Sequence, residues 1–277
     1  MAPIAHVDEW TDECATVVEV EQALVELRLR RGFEGKRNLR TSVLTHIAWV
    51  PREWQEAATD TLAGLAERHP SRTLVLFPDP GADDGLHARV ALECYEMPGN
   101  SRHLCNEVAE LRLRGIRSEA PASIVLPLLL PDLPVFLRWR GLPEFGSPVF
   151  EQLVEVVDRL VVDSSEWPEV PDAYRRLAGL FDEVAISDIA WRRTLLWRRA
   201  LARAWPDLPD RIEGPPAETA LVAGWLRSRA GVEVEVELAD ALPVGHAGDS
   251  SDLLSDELDV FLRDPVYEEA VRSAGRP

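Results

Sequence analysis

Ile124-Val-Leu-Pro-Leu-Leu-Leu-Pro-Asp-Leu-Pro-Val-Phe-Leu-Arg-Trp-Arg-Gly141 is apolar enough to suggest a membrane and too interrupted to cross one. A spanning helix needs about 20 mainly apolar residues with every backbone bond closed internally. Here Pro127, Pro131 and Pro134 each remove an amide donor, and Asp132 places a carboxylate mid-run. The stretch therefore predicts an apolar helix from Ser123 to Leu130, a stop at Pro131-Asp132, and a buried strand from Leu133 to Trp139. A helix feeding directly into a core strand is one half of an α/β unit.

The residues before this run supply the matching half. Ser42 to Val50 is β-branched and apolar up to Pro51, Arg52 to Arg68 reads as a helix, and Pro70 to Phe77 is a second strand closed by the turn Pro78 to Gly85. Strand, helix and strand in that order predict a right-handed crossover between parallel strands. Alternation in Ala88–Tyr95 and Glu107–Leu113 predicts an antiparallel edge pair, joined through Pro98-Gly99-Asn100. Val17, Val20, Leu24 and Leu27 mark an amphipathic helix within Thr11–Arg31. Val149–Asp158 adds a short helix and Arg159–Asp163 a further strand. The predicted fold class is α/β: an open, mostly parallel sheet with flanking helices over residues 1–165, followed by a smaller, mainly helical α+β domain over 166–277. The second domain reads as helices at Asp172–Phe181, Ser187–Trp205 and Glu218–Arg229, with Pro206–Pro216 as a loop. A half-buried alternating strand, Gly231–Leu238, and two acidic helical pieces, Asp252–Arg263 and Asp264–Ser273, complete it.

Composition narrows the classes of function. The 277 residues are 46% apolar and 28% charged, a globular balance. With 30 basic and 48 acidic residues the net charge is −18. That acid excess repels phosphate backbones and anionic lipid, so neither nucleic acid nor a membrane is expected as a partner. Met1 to Asp12 shows no basic stretch leading into an apolar core, so no signal peptide is read there and the cytoplasm is the expected compartment. Cys14, Cys94 and Cys105 are an odd set without CxxC spacing, which predicts reduced thiols rather than a disulfide framework or zinc site.

No residue set argues for catalysis or for a cofactor. The nearest glycine pair, Gly81-Ala-Asp-Asp-Gly85, is acidic and lacks lysine, so it reads as a plain turn rather than a phosphate loop. The histidines at 6, 46, 69, 87, 103 and 246 show no HxxxH spacing, and His46 reads as a satisfied core residue. Asp132 is either a corner residue accepting backbone donors or a charge shown to a partner. On the helix from Ser187, Ala190, Thr194, Trp197, Leu201 and Trp205 share one face and read as core, while Arg192, Arg199 and Arg203 line the other. That row is either a solvated face or a grip for a partner's carboxylates or a phosphorylated sugar.

Four blocks in order give the chain a resemblance to OpcA, the glucose-6-phosphate dehydrogenase assembly protein family of cyanobacteria and actinobacteria. They are Thr41-Ser-Val-Leu-Thr-His-Ile47 with His69-Pro-Ser-Arg-Thr73; Ser123 to Val135; Asp188-Ile-Ala-Trp-Arg-Arg-Thr-Leu-Leu-Trp-Arg198; and Ala223-Gly-Trp-Leu-Arg-Ser-Arg229. Asp256-Glu-Leu258 to Asp264-Pro-Val-Tyr-Glu268 looks like the family's C-terminal end. The interval Ala239–Ser251 is shorter than the β-rich stretch usual there. The resemblance implies a non-catalytic allosteric activator that binds glucose-6-phosphate dehydrogenase and promotes its active oligomer in the oxidative pentose phosphate pathway. Candidate contacts are Asp132, Arg138, Arg140, Arg192, Arg193 and Arg199. Cys105 resembles the family's Cys-x-Glu position and is either a small buried hydrophobe or a redox-responsive thiol. The competing class is a small-molecule or sugar-phosphate-binding enzyme using the crevice at the strand ends of an open sheet.

Overall fold

The computed structural model describes residues 4–33, 38–39, 42–65, 68–96, 103–245 and 248–276. The chain divides into two compact units: Met1–Arg140 with Gly146–Asp158, and Gly141–Phe145 with Arg159–Pro277. The class is α/β, as the sequence predicts.

The first unit contains β1 (Ile4–Asp12), α1 (Val17–Phe33), β2 (Asn38–Leu39), β3 (Leu44–Trp49), α2 (Gln55–Leu65), β4 (Ser71–Asp79), β5 (Gly85–Glu96), β6 (His103–Arg114), α3 (Pro121–Val125), β7 (Val135–Trp139) and α4 (Pro148–Val154). Its strands run in the order β1-β5-β6-β4-β3-β7, with β2 added to the start of β6. Strands β3, β4, β6 and β7 pair in parallel, while β5 is antiparallel to both β1 and β6. The hairpin is therefore internal, and β1 takes the edge that the alternation assigned to β5 or β6. The joining loop Pro98-Gly99-Asn100 lies outside the described residues. Helix α1 starts later than its periodicity suggests because Thr16 and Glu19 exchange side-chain-to-backbone hydrogen bonds, Thr16 N to Glu19 at 2.8 Å and Glu19 N to Thr16 at 3.3 Å.

In the run from Ile124, helix α3 passes into a tight turn at Leu126–Leu128, the chain reverses at Pro131-Asp132, and β7 begins at Val135. Ile124, Val125 and Leu128 are fully buried, as are all five residues of β7. Asp132 adopts φ 62°, a left-handed conformation that aspartate tolerates better than most side chains. Among the described residues its carboxylate makes no hydrogen bond, so of the two readings of Asp132 the one as an acceptor of backbone donors finds no partner there.

The second unit contains β8 (Arg159–Val162), α5 (Val170–Ala178), β9 (Ala185–Asp188), α6 (Ile189–Arg193), α7 (Leu195–Ala204), β10 (Arg211–Gly214), α8 (Pro216–Ala230), β11 (Glu235–Leu238), α9 (Ser250–Leu258) and α10 (Pro265–Ala274). Strands β8 and β9 pair in parallel, and β10 and β11 form a separate parallel pair. Three expectations are corrected here. The helix read from Ser187 to Trp205 is a strand and two helices, because Asp188 ends β9 and caps α6, and the Thr194 hydroxyl donates back to Trp191 O at the break. The loop read over Pro206–Pro216 contains β10, which carries a single buried apolar side chain, Ile212, and so gives almost no pattern. Strand β11 is shorter than the predicted Gly231–Leu238 and exposed at all four of its residues; the half-buried Val232 and Val234 precede it.

Trp205 is also corrected from core to surface. Helix α7 ends at Ala204, and Trp205 leaves helical backbone at φ −56°, ψ 133°, so its helical position no longer places it; it is 54% exposed.

Helix α8 lies close to α10 at Gly224, where an added Cβ would collide with Ala270 O and lie 2.9 Å from Ala274 N. Replacing a mid-helix glycine by alanine gains up to about 1 kcal/mol of propensity, but overpacking costs typically about 1–3 kcal/mol. Gly224→Ala is therefore expected to lower stability, read as a reduced midpoint in urea denaturation; a raised midpoint would show that the helices separate at little cost.

Candidate functional site

The densest set of buried charge in the second unit gathers around the start of α6. Asp188, 1% exposed, accepts from Ala190 N at 2.9 Å, from Ser164 N at 3.0 Å and from the Tyr267 hydroxyl at 3.4 Å. Burial first, and then the charge of Asp163, push its carboxyl up to about 7, against the pull of the Ser164 and Ala190 amides. Arg193 donates to Asp163, to Ser165 Oγ at 3.0 Å and to Glu218 at 2.8 Å. Burial pulls its guanidinium down, but Asp163 and Glu218 more than offset this and hold it above its ordinary value. Arg193 is thus an internal tie between β8, α6 and α8.

Next to this network lies a cavity of about 180 Å³ bounded by the end of β9, α6, α7, α9 and the start of α10. Ser187, Arg192, Arg198, Glu257, Asp264 and Tyr267 supply its polar wall, with Leu195 and Val260 among its apolar residues. Arg192 Nε donates to Glu257 at 2.6 Å. Asp264 caps α10 through Val266 N and Tyr267 N, and its other oxygen accepts from Trp191 Nε1 at 3.0 Å. The Arg198 guanidinium lies over the Trp191 ring, 3.4 Å from its centre. Among the described residues no group of three or more His, Cys, Asp or Glu is arranged to hold a metal ion, and no helix is long and apolar enough to cross a membrane.

Residues 63–179 match the family described as glucose-6-phosphate dehydrogenase subunit N-terminal domain. A protein of Nostoc punctiforme provisionally named OxPP cycle protein OpcA is 31% identical over 181 residues, covering 60% of this chain and 39% of its own length. Over these residues the chain is similar to the OpcA family. Relatives of the same provisional name in Synechococcus elongatus and Synechocystis sp. are 29% and 27% identical, over 183 and 181 residues, and in each 60% of this chain is covered. The chain spans 39%, 41% and 38% of the lengths of these three relatives. The OpcA family match at 63–179 ends before α6, so the cavity lies beyond the matched residues.

Among the candidate contacts that the sequence suggests, the arginines separate sharply. Arg138 and Arg140 are 1% and 8% exposed, and Arg140 donates to Thr61 Oγ1 and Ala57 O of α2, so burial corrects their assignment to a contact surface. Arg192 and Arg193 neighbour each other on α6 but are engaged internally, whereas Arg199 is exposed on α7. Asp132 is exposed on the turn before β7, whereas Arg138 is buried near the other end of that strand. Cys105 is not a free thiol: it stands opposite Cys94 in the β5–β6 register and is disulfide-bonded to it, leaving Cys14 free and exposed. A signal for that pairing was the placement of Cys94 and Cys105 on either side of the predicted Pro98-Gly99-Asn100 loop, at nearly equal distances from it. Asp84, in the acidic glycine turn, accepts from Ile116 N at 2.8 Å, consistent with a turn. The Arg198 and Asp264 contributions were invisible, because α7, α9 and α10 meet only in three dimensions.

Asp188 gives a pH test with a definite sign. A carboxyl raised in the folded chain contributes most stability below its ordinary value of 3.8 and loses it as the pH rises through about 7. Asp188→Asn keeps an acceptor for Ala190 N and Ser164 N and removes the titration. The wild-type advantage over this variant in urea denaturation is expected to shrink by about 2–3 kcal/mol between about pH 5 and 7.5. A constant difference would mean that Asp188 stays ionised across the window.

Proposed function

We propose that this chain is a non-catalytic, cytoplasmic assembly factor that binds glucose-6-phosphate dehydrogenase and favours its active oligomer. The observation that carries the reading is the OpcA match over residues 63–179. The mechanism is differential binding: a partner that prefers the active oligomer shifts the population toward it by its affinity difference, and substrate affinity changes reciprocally. The exposed charges that suit such a contact are Asp132, held forward on its left-handed corner, and Arg199 on α7. Arg192 and Arg193 support the surface by fixing α6 to Glu257, Asp163 and Glu218.

Mixing the purified chain with the dehydrogenase of the same genome is expected to give co-migration in gel filtration and a lower glucose-6-phosphate concentration at half-saturation. Arg199→Glu is expected to weaken the complex several-fold without changing the fold. Unchanged saturation together with separate elution would reject the reading. The redox arm of the proposal acts through the Cys94–Cys105 bond rather than a lone thiol. Activation is accordingly expected to respond to dithiothreitol in the wild type and not in Cys105→Ser; an identical response in both would remove that arm.

A further inference from the structure

We infer that the cavity lined by Ser187, Arg192 and Arg198 binds a small oxyanion, the carboxylate or phosphate group of a low-molecular-weight metabolite. The inference stands apart from the assembly reading and rests on which hydrogen-bonding groups around the cavity are already engaged.

Arg198 is the first observation. Its Nε donates to Thr194 Oγ1 at 2.9 Å and its Nη2 to Trp191 O at 3.2 Å, and Nη1 makes no hydrogen bond among the described residues. It forms no ion pair among them. Burial is the largest influence on this guanidinium and draws it down to about 10, so it remains charged at neutral pH with no carboxylate in contact. A half-buried guanidinium in that condition is the group best matched to an incoming oxyanion, through its planar fork.

Arg159 supplies the second observation. It is 2% exposed, forms no ion pair among the described residues, and donates to Ser187 Oγ at 2.8 Å and Leu262 O at 2.7 Å. The Ser187 oxygen thus accepts from Arg159, which leaves its own proton to be donated and a positive charge behind it. The carboxylates of the same wall are engaged. Glu257 accepts from Arg192, Asp264 from Trp191 and two backbone amides, and Asp188 from two amides and Tyr267. Among the described residues the unengaged donors of this wall include Arg198 Nη1 and the Ser187 hydroxyl proton, while Glu257 keeps one oxygen, Oε2, without a hydrogen bond.

Size sets the ligand class. About 180 Å³ is room for roughly six waters and lies below the roughly 300–1,000 Å³ of sites for drug-sized ligands. A ligand of few heavy atoms fits, with its oxyanion toward Arg198 and Ser187 and its carbon portion toward Leu195 and Val260.

The test is isothermal titration of the full chain with inorganic phosphate, glycerol 3-phosphate and malonate, with glycerol as the neutral control. Saturable binding of at least one anion and none of glycerol is expected. Arg198→Gln should weaken it at least about tenfold, and Ser187→Ala several-fold, while Arg211→Gln, an exposed arginine on β10, should leave it unchanged. The Ser187 variant carries the test if Arg198→Gln does not fold. Preference for the two phosphates assigns a phosphate-bearing ligand, and preference for malonate a carboxylate. Absence of saturation with all three anions, or equal binding by wild type, Arg198→Gln and Ser187→Ala, overturns the inference.

Discussion

Every residue of β3 from Leu44 to Trp49 is buried, and the rest of the first unit follows from having to cover that strand on both faces. Polar groups carried into the sheet must then be satisfied inside it. On one face Arg72 of β4 meets Glu107 of β6 at 2.7 Å, Arg28 of α1 joins the same carboxylate at 2.8 Å, and Arg72 also donates to Leu128 O at 2.8 Å. One glutamate therefore fixes a helix, two strands and the turn before β7. Trp49 stacks on Trp139 at 5.1 Å, and Phe150 of α4 meets Trp139 edge-on at 5.1 Å. On the other face Ala48 and Val50 pack against Ala58 of α2, beside His46. Burial chiefly, then Arg138, His69 and Arg140, draw His46 down to about 3, so it is neutral at physiological pH; it is a core residue, but its Nε2 has no hydrogen-bond partner among the described residues and is not satisfied as the sequence reading expects.

The same economy shapes the second unit and bears on function. Arg193 is consumed by Asp163 and Glu218, and Arg192 by Glu257. Interior arginines thus organise the chain, while an acidic excess remains in the composition as a whole, −18 in net charge. Arg199 and Asp132 are the exposed charges among the candidate contacts, and Arg198 is a half-buried guanidinium whose hydrogen-bonding capacity is incompletely used among the described residues. A partner surface and an anion site would consequently draw on different residues, even where these are adjacent in sequence.

Local pattern made the core strands legible. The β-branched run before Pro51, the crossover to β4 and the passage from α3 through Pro131-Asp132 into β7 each depend on a few consecutive residues. It misled where a pattern was short or a helix was presumed to continue. β10 has one buried apolar residue, β9 looks like the start of a helix, and Trp205 fits a helical face that α7 no longer provides. Arg138 and Arg140 looked like the charged end of a strand because a sequence does not show that both are buried, Arg140 against α2.

The sequence by itself determined the α/β class, the parallel crossover and the OpcA resemblance, because proline placement, periodicity and ordered blocks are properties of neighbouring residues. Only the tertiary structure decided that the hairpin is internal, that Cys94 faces Cys105, which arginines are buried, and that Ser187, Arg198 and Glu257 border one cavity. Those outcomes depend on register and packing between segments far apart in the chain, which hydrophobic pattern constrains to a face but not to a partner.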